Sequence, residues 1–522
     1  MTSYDAVIIG AGHNGLACAA HLARRGWTVC VFEGAERPGG AVKTLELTEP
    51  GFRHDVAAMN LSLFAGSAFH KAYAEDLARH GLAFAPVADC FASVFPDGRW
   101  LGVSTDLAAT QERIRAFSAR DAETWGRLVE GFPARARHLF ALLGSSMKTH
   151  AIARVAFSLL RREGVSGALE LMRFLLSSPR AWLDETFESD EVKALLGAWG
   201  MHLDFAPDIA GGALFPYLEG MASQSFGMAL GKGGAGTMIT ALVGMVEAAG
   251  GTVKCGARVE KVETQAGRAT GVVLADGFRV EARKAVIGTV APRALETLLP
   301  GGSGSEKFDR TMRGFRYAPG TMMVHLALDD LPAWPDAALR RFAYVHLAPS
   351  LDMMARAYAD AVAGLLPAEP VIVVGQPTAI DPGRAPEGKH VLWLQVRMAP
   401  ATIRGDAAGT IEARDWDGAR EAFADRALDI VERYAPGLRD RIVGRAAVGP
   451  LDLERDNPNL VGGDQICGSH HLAQNFLFRP APGLADWRTP VKGFHLAGAA
   501  TWPGAGTGAG SGYMLARQLA GG

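Results

Sequence analysis

Apolar and polar positions follow two periods along this chain, and the switches between them mark its elements. Residues 4–10 form an almost unbroken apolar run, the pattern of a strand buried on both faces. Helical spacing holds over residues 14–25 and stops at Gly26; residues 28–32 form a second buried strand. Residues 51–55 are expected as an exposed loop or short strand. Helical spacing returns over 68–80 and through most of 105–162. Between them, residues 84–101 alternate around Pro96-Asp97-Gly98, a hairpin pattern. Residues 239–249 form an amphipathic helix closed by Gly250-Gly251. A strand (252–255), a meander (262–264, 269–274, 279–282) and a buried strand (285–289) follow. Strands are expected at 322–328, 371–375 and 390–396, and a helix at 420–434. Residues 493–500 lead from a strand into a glycine-rich run, and a last helix spans 513–519.

The first strand runs straight into Gly10-Ala11-Gly12-His13-Asn14-Gly15, a G-x-G-x-x-G turn. Gly10 permits the tight turn, Gly12 leaves room for a pyrophosphate, and Gly15 lets helix and strand pack closely. The helix N-terminus, with His13 and Asn14, offers free N–H groups to the phosphates. Glu33 lies at the end of the second strand, where a carboxylate accepts from ribose hydroxyls and disfavours a 2′-phosphate. The cofactor is therefore FAD or NAD rather than NADP. Gly231 to Gly236 repeats the glycine spacing, but no clear buried strand leads into it, so a separate nicotinamide site is not expected.

At 522 residues the chain exceeds one simple core, and two domains are expected. A net charge of −2 without basic or acidic blocks gives no reason to expect a nucleic-acid partner. The five cysteines, Cys18, Cys30, Cys90, Cys255 and Cys467, are scattered. Without C-x-x-C, neither a redox dithiol nor a zinc knuckle is expected, and a reducing compartment fits. The first strand begins too early for a signal peptide, and no apolar run is long enough for a membrane span. A cytoplasmic protein is expected. In residues 147–187 Lys148, Arg154, Arg161, Arg162, Arg173 and Arg180 interleave with large apolar residues. This is either a helical cap over a substrate cavity or an interfacial element making peripheral membrane contact. Both hold if the substrate is lipid-soluble.

Arg37-Pro38-Gly39-Gly40-Ala41-Val42-Lys43-Thr44 resembles the extended fingerprint of glutathione-reductase-type FAD oxidoreductases. In those proteins paired glycines and a basic residue, here Arg37 or Lys43, face the flavin-side phosphate. That fingerprint, the segment 379–390, Leu496-Ala497-Gly498-Ala499, Pro503-Gly504 and Asn457-Pro458-Asn459-Leu460 are similar to phytoene-desaturase-like flavoproteins. The resemblance points to the branch of pyridine nucleotide-disulfide oxidoreductase domain-containing protein 2. It implies an α/β, two-dinucleotide-binding-fold (glutathione-reductase-type) FAD domain with a monoamine-oxidase-like α+β substrate domain and helical cap. The FAD domain would comprise residues 1–75, 226–310 and 450–522. The substrate domain would comprise 76–225 and 311–449, with the cap at about 105–200. The resemblance further implies that Gly34, Gly39, Gly40, Ala41, Gly498, Ala499, Pro503, Gly504 and Gly508 join the cofactor contacts, with the Val259 backbone against adenine. Where relatives carry a His before the late Pro-Gly, this chain has Trp502. That expectation makes the cavity wall bulkier and argues against a long polyene.

Flavin oxidation asks little of the protein beyond placing a C–H bond against the flavin in a dry cavity. No triad is expected, and the adjacent His470-His471 make a poor metal pair, so no metal is expected. Catalytic residues stay unknown; the candidates are Trp502, Lys232 and His471, with Gln474 and Tyr513 as further polar groups. The leading reading is FAD-dependent dehydrogenation or desaturation of a hydrophobic small molecule, with quinone or oxygen as electron acceptor. An amine oxidase and a non-catalytic flavin-binding protein remain as alternatives. The oligomeric state is not legible.

Overall fold

The computed structural model describes residues 2–521. Two seven-stranded sheets organise the chain. In the first, the strand Thr2–Ile9 lies between Arg279–Gly288 and Val29–Phe32, parallel to both. Thr252–Lys254 extends the sheet beyond Val29–Phe32, also in parallel. On the other side Arg279–Gly288 pairs with Arg268–Leu274 of the meander and, further along, with Phe494–Leu496. The helices His13–Arg24, Gly236–Ala248 and Gly510–Ala520 cover one face; Ala17, Ala20, Leu242 and Leu515 are buried there.

Two short strands were expected at 279–282 and 285–289, with Arg283-Lys284 as the break. The structure has one strand, because Asp5 pairs with both cations, at 3.2 and 3.4 Å. The register shifts between Tyr4 and Ala6 at that point. Residues 51–55 include the short strand offered as one expectation, but its residues are buried rather than exposed. His54–Asp55 pairs with Thr44–Leu45, and both side chains are buried. Asp55 is held there by an ion pair to the buried Arg384, at 2.9 Å. A strand, Met228–Gly231, does lead into the second glycine-rich turn, but it lies outside both large sheets, paired with Phe84–Val87 in a two-stranded ladder and bridged to Asn60.

The second sheet runs in the order Ile442–Val448, Gly320–Leu328, His390–Ala399, Val371–Gly375, Tyr344–Leu347, Asp89–Val94, Trp100–Ser104. The middle of its outer face is apolar (Val324, Leu326, Ile372, Val374, Leu392, Leu394) and packs on the helix Trp416–Tyr434, to which Arg445 of the edge strand is paired through Asp425 and Glu421. The inner face lies under Ala119–Leu143, Asp190–Gly200 and Leu214–Phe226. Thr149–Leu176 is interrupted at Gly164, where φ is +69°. The basic, apolar segment is therefore helical, but its large residues are not all covered. Phe157, Val165, Leu169 and Met172 are each more than half exposed.

Candidate active site

The turn Gly10–Gly15 is crowded at its two ends, Gly10 and Gly15, and is closed by Gly40 and Thr289. A Cβ on Gly15 would run into the Gly10 carbonyl, and Gly12 and Gly40 approach so closely that a Cβ on Gly40 would lie 3.4 Å from the Gly12 Cα. Thr289, at the end of Arg279–Gly288, donates its hydroxyl to the Ile9 carbonyl at 2.8 Å. Two helices begin here without side-chain caps, His13–Arg24 and Gly510–Ala520. They cross so closely that a Cβ on Gly512 would collide with the Asn14 carbonyl; the Gly512 N–H donates to Asn14 Oδ1 at 3.1 Å. Two helix N-termini and three glycine-rich turns thus meet at one point. Uncapped N–H groups and helix dipoles favour an anion there.

The expected cofactor residues fall around this point. The Glu33 carboxylate accepts from the Ala11 N–H (2.7 Å) and the Ala35 N–H (3.0 Å), so it is fixed at the mouth of the turn. Gly34 is exposed beside the Arg258 side chain, and Val259 opens the adjoining strand. His13 lies 3.1 Å from the Gly506 carbonyl and bridges the first helix to the last loop; burial pushes its pKa down to about 4, so it is neutral. Gly39 donates its N–H to the Ala11 carbonyl, and Gly39 and Gly40 both have positive φ. Gly498 donates to Ser511, the Ala499 carbonyl accepts from Arg479 (2.7 Å), and Pro503 and Gly504 turn beside His470. Gly508 lies against Leu63.

Several assignments change. Lys43 is buried in an ion pair with Asp456 at 2.7 Å, whereas Arg37, the other cation of that fingerprint, is exposed. Trp502 is 1% exposed, and its indole N–H donates to the Ser145 carbonyl. It packs on Phe476, so it faces protein and forms no cavity wall. Lys232 is exposed at the surface. His471 is taken up by Asp204, at 2.8 Å to its carbonyl and 3.2 Å to its carboxylate. Gln474 is spent on the Arg316 and Ser469 backbone, and Tyr513 packs against His21 and Phe69. The second glycine-rich turn has its N–H groups occupied: Gly233 donates to Asp381, Ala235 to Asp55 and Gly236 to Thr44.

Sequence reasoning missed the segment that joins this point to the second sheet. Ala58 donates to the Ala41 carbonyl, Thr507 to the Asn60 carbonyl, and Met59 lies against Gly375 and Trp393 on the inner face of the sheet. Asn459 was likewise missed as a support: it holds the Ala291 N–H and the Thr289 carbonyl behind the turn. No local pattern announces such contacts, because each partner lies far away in sequence.

The glycine cradle, the converging helix N-termini and the fixed Glu33 fit a dinucleotide whose second half passes Gly39–Ala41 toward Met59. Comparison with known proteins bears on which one. The family described as "Flavin containing amine oxidoreductase" matches residues 15–519. Pyridine nucleotide-disulfide oxidoreductase domain-containing protein 2 of Mus musculus is 30% identical over 554 residues, covering 96% of this chain and 91% of that protein. Phytoene dehydrogenase of Streptomyces griseus is 25% identical over 509 residues, with the same coverage of 96% and 91%. A crystal structure of an oxidoreductase from Methanosarcina mazei superposes with a TM-score of 0.63 at 18% identity, covering 98% of this chain and 99% of the other. The cofactor is FAD. The chain belongs to the flavin-containing amine oxidoreductase family, among its phytoene-desaturase-like members and near the branch of pyridine nucleotide-disulfide oxidoreductase domain-containing protein 2.

Proposed function

We propose that this oxidoreductase dehydrogenates a hydrophobic small molecule and returns the electrons to a quinone or to oxygen. The observation that supports this most is the meeting of the cofactor turn and the inner face of the second sheet along residues 56–60. A molecule held on that face lies next to the flavin side of the cofactor site. Gly10–Gly15 and the two helix N-termini would hold the pyrophosphate, Glu33 the ribose, Val259 the adenine, and Gly39–Ala41 with Gly498–Gly508 the flavin half. Bound FAD supplies the hydride acceptor. The chain's own part is to orient the substrate and exclude water, which the packed aromatic residues of the inner face do. Each dehydrogenation would pass a hydride to the flavin and release a proton to the reduced flavin or to water.

We propose further that the exposed apolar stripe of Thr149–Leu176 rests on a membrane surface from which such a substrate is drawn. Among the described residues no helix is long and apolar enough to cross a membrane. Arg154, Arg161 and Arg162 flank the stripe, and a basic, apolar helix of this kind binds anionic interfaces.

The test is anaerobic. The purified flavoprotein is photoreduced, then mixed separately with oxygen and with a soluble quinone. Faster reoxidation by quinone than by oxygen, and substrate-driven reduction by lipophilic alcohols or alkenes, are expected. Rapid oxygen reaction together with reduction by primary amines alone would make it an amine oxidase instead.

A further inference from the structure

The two faces of the second sheet are equally buried but chemically opposite. The outer face is apolar across its middle strands, and its edge-strand cation, Arg445, is paired with Glu421 and Asp425 of the covering helix. The inner face carries two adjacent cross-strand rows that are rich in polar groups. One row runs Ser93, His346, Val373, Gln395, Met323; the next runs Phe91, Tyr344, Gly375, Trp393, His325. Ser93 Oγ, both nitrogens of His346, Gln395 Oε1, Trp393 Nε1 and both nitrogens of His325 are buried without a hydrogen-bond partner among the described residues. Trp199 closes over them from the helix Asp190–Gly200, its ring 5.2 Å from His346, and its own Nε1 is also unpaired. Buried polar atoms are almost always paired, so a whole wall of unpaired ones marks a place where something else supplies the partners.

We infer that this wall is the substrate-recognition surface, and that it takes an uncharged, largely apolar molecule bearing a hydroxyl or carbonyl oxygen. The inference rests on the dehydrogenase reading above, which puts the substrate on this face. Its chemistry follows from the donors present. The indoles of Trp199 and Trp393 donate, Gln395 Oε1 accepts, and each neutral imidazole does one of each. Burial pushes His346 to about 3 and His325 to about 4, so neither carries charge at neutral pH. A pure hydrocarbon would leave every one of these atoms unpaired. A cation would meet the guanidinium of Arg397, buried in the adjoining row and bonded to the Met201 and His202 carbonyls. Glu219, near Tyr344, is itself pushed up to about 7 by burial and so offers at most a partial counter-charge. The rings Trp199, Phe91, Tyr344 and Trp393, with neighbouring centroids 5.1 to 6.1 Å apart, supply the apolar body of the site. Ligand entry requires Trp199 to withdraw from the wall.

The test uses the full-length FAD-loaded protein under nitrogen. Limonene, perillyl alcohol and cyclohexylamine are titrated in turn, with binding read from tryptophan fluorescence and from perturbation of the visible flavin spectrum. Perillyl alcohol is expected to bind at least tenfold more tightly than limonene. Trp393→Phe and Gln395→Met should each remove most of that preference while FAD content stays at the wild-type level. His346→Phe, which removes two unpaired nitrogens and adds one ring carbon, should melt close to the wild-type temperature and lose the same preference. Limonene or cyclohexylamine binding as tightly as the alcohol, no binding of the alcohol, or a preference that survives all three variants would overturn the inference. In the last case ordered water alone partners these atoms. Failure of the dehydrogenase reading is distinct: the alcohol preference appears, but no bound molecule reduces the flavin.

Discussion

At Gly15 one methyl group decides whether the cofactor turn can close. Its Cβ would meet the backbone oxygen of Gly10, which no rotamer change relieves. Overpacking of this kind costs roughly 1–3 kcal/mol. Gly15→Ala is expected to purify with most of its flavin missing, measured as the ratio of visible flavin absorbance to protein absorbance. Arg384 and Asp55 are a second decisive pair, 0% and 1% exposed. Removing one partner of a buried ion pair leaves the other uncompensated, at about 3–5 kcal/mol. Asp55→Asn should therefore lower the urea midpoint sharply, and an unchanged midpoint would refute the role given to the pair. These two cases show what the sequence discloses about single residues. Gly10, Gly12 and Gly15 were legible because one short turn dictates all three. Asp55 was not, because its partner lies 329 residues away, and a charged residue in a loop-like stretch reads as exposed. Trp502 misled for a related reason: the backbone position before Pro503 was legible, but the direction of the indole is set by Ser145, in another element.

Elements were more legible than residues wherever periodicity spoke alone. The first βαβ unit, the meander and the helix Trp416–Tyr434 all stood out by their spacing. The long strand Arg279–Gly288 did not, since Arg283-Lys284 looked like an interruption until Asp5 was placed beside it. Thr149–Leu176 lay between two readings because its composition suits either a buried cap or an interface. The structure buries part of it and exposes the rest. Phe174 is buried against the cap, while Phe157 and Leu169 are 67% and 58% exposed. Burying such a side chain at an interface is worth about 2 kcal/mol. The double variant Phe157→Ser, Leu169→Ser should reduce flotation with anionic vesicles by at least about tenfold, with flavin content unchanged. Equal flotation of wild type and variant, or none by either, would remove the membrane proposal.

Across the whole molecule, buried neutral histidines set the response to acid. Burial holds His54 and His346 at about 3 and His325 at about 4, against an unfolded value of about 6.5. Below pH 6.5 the unfolded chain takes up protons that the folded chain refuses. This contribution is complete above that pH and is lost as pH falls toward 4 and then 3. The urea midpoint should fall steadily through that window, and His346→Phe should flatten the slope. Asp464, raised to about 6 by burial, acts in the opposite sense between about pH 4 and 6 and offsets part of the loss. The same burial that makes these histidines acid-sensitive keeps the imidazoles of the inner face uncharged at neutral pH.

The measurement that bears most directly on the central claim is the visible spectrum of the purified protein during anaerobic titration with lipophilic ring alcohols. An FAD band that bleaches as the alcohol is added, and returns when quinone is admitted, is the expected result. A flavin band that no lipophilic donor bleaches, in a protein that dithionite reduces normally, would contradict the assignment as a dehydrogenase of hydrophobic small molecules.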